Sequence, residues 1–174
     1  MSRRHDQYTI HLMRQGELRT ETAAPGGQGM LMRRPSLDLW IHDRVAATVA
    51  AQAVGYAAYT NIGGHHSMCL TGSFREVSPD VVICDPESFL VDHVVEVEVE
   101  DTIQPDTAQR WLDIARAIQG RGVFWILVQP SAIASARQLC DAAGIAAHIG
   151  TWSINGDTIT ITWPVPLRAA PVRH

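Results

Sequence analysis

Residues 91–100 read Val-Asp-His-Val-Val-Glu-Val-Glu-Val-Glu, and this alternation constrains the fold more than any other feature of the chain. In a β-strand, residues two apart share a face. Asp92, Val94, Glu96, Glu98 and Glu100 therefore point one way, and His93, Val95, Val97 and Val99 the other. The valine face has to pack on a core. The other face carries three carboxylates about 7 Å apart, from the rise of a strand. The segment lies in the middle of the chain, so the strand is expected near the middle of its sheet, with the glutamate face covered as well. Desolvated like charges repel, and their pKa values rise unless a cation neutralises them. Arginines are scarce nearby, so a divalent cation is the natural partner, and hard oxygen ligands suit Mg²⁺ or Mn²⁺. The competing reading is the solvated face of an edge strand, where charges discourage aggregation. Glu100, nearest the strand end, is expected in solvent in either case.

Charge is distributed unevenly. Residues 75–113 hold eleven acids against Arg75 and Arg110, a balance of -9, so a net charge of -4 leaves +5 for the remainder. All 14 basic residues are arginine. Without lysine there is no Walker A phosphate loop, no protein-kinase site, no pyridoxal-phosphate Schiff base and no Ser-x-x-Lys nucleophile. Cys69, Cys84 and Cys140 are few, odd in number and far apart, without a Cys-x-x-Cys pair. They read as buried thiols of a reducing compartment. No segment has the apolar core of a signal peptide or the length of a membrane span, which leads to an expected cytoplasmic location.

The 174 residues are enough for one domain. Residues 1–34 hold six arginines, a Gly/Pro run at 25–29 and a short strand candidate at Tyr8–Met13, and read as a weakly ordered N-terminal arm. The domain proper is expected over 35–163, followed by a loose Pro-rich tail over 164–174. Ser36 opens a helix whose apolar stripe is Leu37, Ile41, Val45 and Val49. His66–Phe74 reads as a strand. Residues 80–84 and 91–100 read as strands around the polar turn Asp85-Pro86-Glu87-Ser88. A helix from Pro105, an all-apolar strand over Val123–Val128, and a helix from Pro130 stopped at Gly144 follow. Ile145–Ile149 reads as a strand, and Asn155-Gly156 as the turn of a C-terminal hairpin. The resulting fold class is α/β: a mixed sheet with helices on both faces, and a core order of α-β-β-β-α-β before the last helix and hairpin.

Asp80 starts the strand before the acidic one. A hairpin turning at 85–90 brings it opposite Val95–Glu98, and one parity of register gathers Asp80, Glu96 and Glu98. A Pro-Asp at a strand start, a hairpin, and an acid-x-acid or acid-x-Lys on the next strand is the pattern of the PD-(D/E)xK, or restriction endonuclease-like, nucleases. Pro79-Asp80 and Glu96-Val97-Glu98, together with the element order over residues 35–149, resemble that superfamily. The resemblance implies a metal-dependent nuclease that hydrolyses phosphodiester bonds. Asp80, Glu96 and the Val97 carbonyl would hold Mg²⁺ or Mn²⁺, and Glu98 would stand in the third catalytic position to hold a water or a second metal. The partner would be nucleic acid, DNA in the first place, and a homodimer is one way to cut two strands. The third position is usually lysine. Some members carry Glu there, and others keep the fold without catalysis, so a nucleic-acid- or protein-binding module is the alternative.

Lesser candidates have bland readings. Gln109 pairs with Asp106 as a capping box. His42 and Asp43 flank the apolar stripe of the first helix and read as surface residues. His65-His66 point to opposite faces of any strand, which argues against shared ligation of one metal. Arg33 and Arg34 could touch phosphate or simply belong to a solvated arm.

Overall fold

The computed structural model describes residues 36–65, 67–71, 75–165 and 167. The arm at 1–34, with its strand candidate and Arg33-Arg34, lies outside them, as do His66 and most of the C-terminal tail. The elements are α1 (Ser36–Gln52), β1 (Ala57–Thr60), β2 (Leu70–Thr71), β3 (Glu76–Val77), β4 (Val81–Cys84) and β5 (Val91–Val97). They continue with α2 (Pro105–Ile118), β6 (Val123–Val128), α3 (Ile133–Ala143), β7 (His148–Asn155) and β8 (Thr158–Thr162). The architecture is α/β. A six-stranded mixed sheet runs β1-β4-β5-β6-β7-β8, and β2 and β3 form a separate small ribbon.

The alternation of β5 sorts its two faces. Val95, Val97 and Val99 pack with Val45, Ala46 and Val49 of α1 and with Trp125 and Trp152. Val94 packs on the opposite side with Trp111 and Ile114 of α2 and with Ala136 and Cys140 of α3. Helices thus cover both faces, α1 on one and α2 with α3 on the other. β5 pairs antiparallel with β4 and parallel with β6, so it is an interior strand. Glu96 and Glu98 are accordingly 0% exposed, which overturns the reading of these two as the solvated face of an edge strand. Glu100 is exposed, as expected.

Three local readings are corrected. The apolar stripe of α1 is not a four-residue ladder. Each four-residue step advances about 40° beyond a full turn, so the row drifts off the core, and Leu37 is left 64% exposed. The buried line is His42, Val45, Ala46, Val49 and Ala53, which follows the true helical pitch. The sheet strand ahead of β4 is Ala57–Thr60, paired antiparallel as Ala57↔Cys84 to Thr60↔Val81. Among the described residues of the strand expected at 66–74, Leu70–Thr71 is a strand, in the separate ribbon. Alanine is a poor strand former, and β1 exists because β4 offers it a free edge. Finally, α2 is not opened by a capping box. Gln104 is its N-cap, Pro105 fills the first turn, and Gln109 donates to Asp113 instead.

The C-terminal half follows the sequence more closely. Gly144 ends α3 in the left-handed region at φ 64, with its N–H bonded to Asp141 O. Residues 145–147 of the strand expected at 145–149 form no strand; 148–149 and 151–154 belong to one strand, β7, joined to β8 by a two-residue turn at Gly156-Asp157, one residue past the Asn155-Gly156 expected. Gly150 sits where a Cβ would come within 2.7 Å of Leu127 Cδ2, so β7 passes β6 there only without a side chain. Leu167, expected in a loose tail, packs on the α1-side cluster. Cys84 and Cys140 are free, buried thiols, whose pKa burial pushes up to about 11. Cys69 is also free and only half-buried. Among the described residues no helix is long and apolar enough to cross a membrane.

Candidate functional site: a buried acid pair at the sheet rim

β4 begins at Val81 opposite Val95, which puts Asp80 level with Glu96. The two residues exchange backbone and side-chain bonds. The Asp80 N–H donates to Glu96 Oε1 at 3.0 Å, and the Val97 N–H donates to Asp80 Oδ2 at 2.8 Å. Asn61 fixes the approach to Asp80. Its N–H donates to Asp80 O, and its side-chain amide donates to Met68 O and Pro79 O. The same side chain accepts from the Ser67 and Met68 N–H groups. The Pro79-Asp80 pair is thus locked at the rim of the sheet, where the α1 and α2 faces meet.

The cation facing this pair is an arginine. Arg110 Nη2 lies 3.3 Å from Asp80 Oδ1 and 2.8 Å from Glu96 Oε2, with its better hydrogen-bond geometry toward Glu96 Oε1 at 3.1 Å. From α1, His42 Nε2 reaches within 3.0 Å of Asp80 Oδ2. The other ring nitrogen of His42 meets Asp43 Oδ1 at 3.0 Å, and Asp43 Oδ2 accepts the Gly63 N–H. His42 is 4% exposed, so it is no surface residue but part of a chain Asp43–His42–Asp80.

The environment splits the two acids. Burial alone would raise Asp80, but His42, Arg110 and the Val97 N–H outweigh it and hold its carboxyl below the usual range. Burial and the neighbouring Asp80 charge push Glu96 well above its usual value, against the pull of Arg110. Two acids that close cannot both ionise freely. Burial works against the charge of Arg110, but Glu96 and Asp80 more than compensate and keep its guanidinium charged.

Glu98 shares the covered face with Glu96 but lives in a different setting. Trp111 Nε1 donates to its Oε1 at 3.1 Å, and the Thr102 hydroxyl donates to its Oε2. Its backbone is held as well: its N–H donates to Leu127 O, and its carbonyl accepts from Trp152 Nε1. Among the described residues no three His, Cys, Asp or Glu side chains form a metal-binding group. Asp80 and Glu96 make a pair, and the rest of a cation's shell would fall to the Val97 carbonyl and water.

The structure therefore brings Asp80, Glu96 and the Val97 backbone together and commits the Glu98 carboxylate to Trp111 and Thr102. The sequence reading assigned no part in the site to Arg110 or Trp111 and gave His42 a surface position. A signal for Arg110 existed: Arg75 and Arg110 are the only basic residues in the stretch with eleven acids, and Arg110 directly precedes the buried stripe residue Trp111. Comparisons with family models, curated proteins and solved structures give no match to this chain.

Proposed function

We propose that the chain is a metal-dependent nuclease of the restriction endonuclease-like class, with α1, β1, β4, β5, α2 and β6 as its α-β-β-β-α-β core. Its substrate would be nucleic acid, DNA first. The observation that supports this reading is the convergence of Asp80 and Glu96, from neighbouring strands, on a single cationic atom. Both acids are hard oxygen donors close enough to share one ion, and Arg110 beside them is 36% exposed. In this reading Asp80, Glu96 and the Val97 carbonyl hold Mg²⁺ or Mn²⁺. Such an ion supplies a lowered pKa for bound water and charge neutralisation at the scissile phosphate. His42 orients Asp80 and is itself oriented by Asp43. Glu98 acts through Trp111, fixing the helix that carries Arg110. Arg110 takes over the positive charge that a motif lysine would bring, and its planar fork suits a phosphodiester. The free thiols of Cys84 and Cys140 fit a cytoplasmic setting. A homodimer would place two such sites on a duplex.

The test is incubation of the purified protein with plasmid, single-stranded DNA or RNA, in Mn²⁺ or in EDTA. Cleavage is expected with Mn²⁺ only, and is lost in Asp80→Asn and Glu96→Gln. The way Arg110 already neutralises the acids favours a second reading, a nuclease fold kept as a binding module. Nucleic-acid binding without cleavage under any metal would move the conclusion there.

A further inference from the structure

We infer that Arg110 is a built-in competitor for the cation site, seated between Asp80 and Glu96 until a divalent ion displaces it. The inference rests on the nuclease reading and adds a regulatory step to it. One nitrogen, Nη2, touches both carboxylates at 2.8–3.3 Å. An ion bound to the same oxygens at about 2.0–2.1 Å would sit inside that nitrogen's contact distance. Two positive charges cannot share the space, so the occupants exclude each other. The geometry also provides an exit. Asp80 and Glu96 are buried, whereas the Arg110 side chain is 36% exposed and hangs from the rim-facing side of α2. Its backbone, one residue from buried Trp111, need not move for the side chain to swing out. Released, the guanidinium stands at the surface as a free phosphate-binding fork. Ion entry thus converts an inward salt bridge into an outward anion contact, so an ion-free protein is switched off.

Competition has a consequence that a fixed arginine lacks: the side chain must leave as the ion arrives. Mn²⁺ titrated calorimetrically into wild type, Arg110→Lys and Arg110→Gln should bind Arg110→Gln about 10- to 100-fold more tightly than wild type. The lysine variant should fall between. In wild type, phenylglyoxal labelling of Arg110, read by mass spectrometry, should be slow without metal and accelerate on Mn²⁺ addition. The labelling decides the matter alone if Arg110→Gln fails to fold. Equal Mn²⁺ affinity in wild type and Arg110→Gln, with labelling unchanged by metal, overturns the competition and leaves the nuclease reading standing. Absence of Mn²⁺ binding in both proteins overturns the two together.

Discussion

Glu96 lies in β5 and Glu98 one residue past its end, on the same face, and neither is exposed at all. Their surroundings differ in kind. Among the described residues, the Glu98 carboxylate accepts from the indole N–H of Trp111 and the hydroxyl of Thr102, and its charge is felt at Glu96 and Arg110. Glu96 faces a second carboxylate and a guanidinium, and accepts the N–H of Asp80. A buried carboxylate with neutral, well-placed donors is a structural anchor. The same group beside another acid holds an unsettled proton and waits for a positive charge. Burial alone therefore does not mark a functional acid; the charge of its partners does.

The largest effect that would sharpen this contrast belongs to Glu98. Glu98→Ala removes the acceptor for the buried Trp111 N–H and leaves a cavity under α2, at a cost of about 3 kcal/mol in urea unfolding. Glu98→Gln keeps the shape and the Trp111 bond, and the Thr102 hydroxyl can turn its proton to Val99 O and accept from the new amide, so the cost should fall to about 1 kcal/mol. A loss of Mn²⁺-dependent cleavage by Glu98→Gln in a protein of wild-type stability would break the contrast, because it would make Glu98 chemical after all.

Glu96→Gln should behave in the opposite way, destroying cleavage while changing stability little near pH 5, where Gln resembles the protonated acid. The pH dependence follows from the shift. Glu96 titrates near 4.5 in the unfolded chain and well above that when folded. Its contribution to stability is complete below pH 4.5 and is lost as pH rises through the folded value. Asp80 runs the other way: its contribution is present above its unfolded value of 3.8 and is lost as pH falls through the lower folded one. The unfolding free energy of wild type minus that of Glu96→Gln should therefore decline as pH rises above 4.5, measured by urea denaturation. A flat difference would show that Glu96 is not the uneasy member of the pair. The smallest effect is reserved for Glu100, the third glutamate of the face. It is exposed, its carboxylate accepts from the Ser131 hydroxyl, and its N–H donates to Gln129 Oε1. Glu100→Gln should leave the unfolding midpoint and the cleavage rate where they are, and a clear drop in either would mean that the face is used further out than the buried pair.

Much of this was legible in the residues. The period-two alternation of β5 predicted its two faces and their coverage, and the polar run at 85–88 predicted the hairpin that brings Asp80 opposite Glu96. The all-apolar Val123–Val128 predicted a strand covered on both faces. What escaped had a common cause. β1 is Ala-Ala-Tyr-Thr, too short and half alanine to stand out, and forms because β4 has an edge to pair. His42 looked peripheral because a four-residue ladder was taken for the helical stripe, whereas the 3.6-residue pitch carries it under the sheet rim. Arg110 is 30 residues from Asp80 and 14 from Glu96, and no local pattern couples a helix side chain to strand residues that far away.

By itself, the sequence determined the acids, their parity and the strand that buries them, because side-chain direction along a strand is a matter of odd and even positions. Only the tertiary structure decided which cation meets them. That choice depends on where α2 settles across the β5 face, and α2 is placed by the packing of Trp111 and Ile114 against the core rather than by anything written next to Asp80 or Glu96. Charge pairing in a protein interior acts over a few ångströms of space, and those ångströms are set by packing, not by distance along the chain.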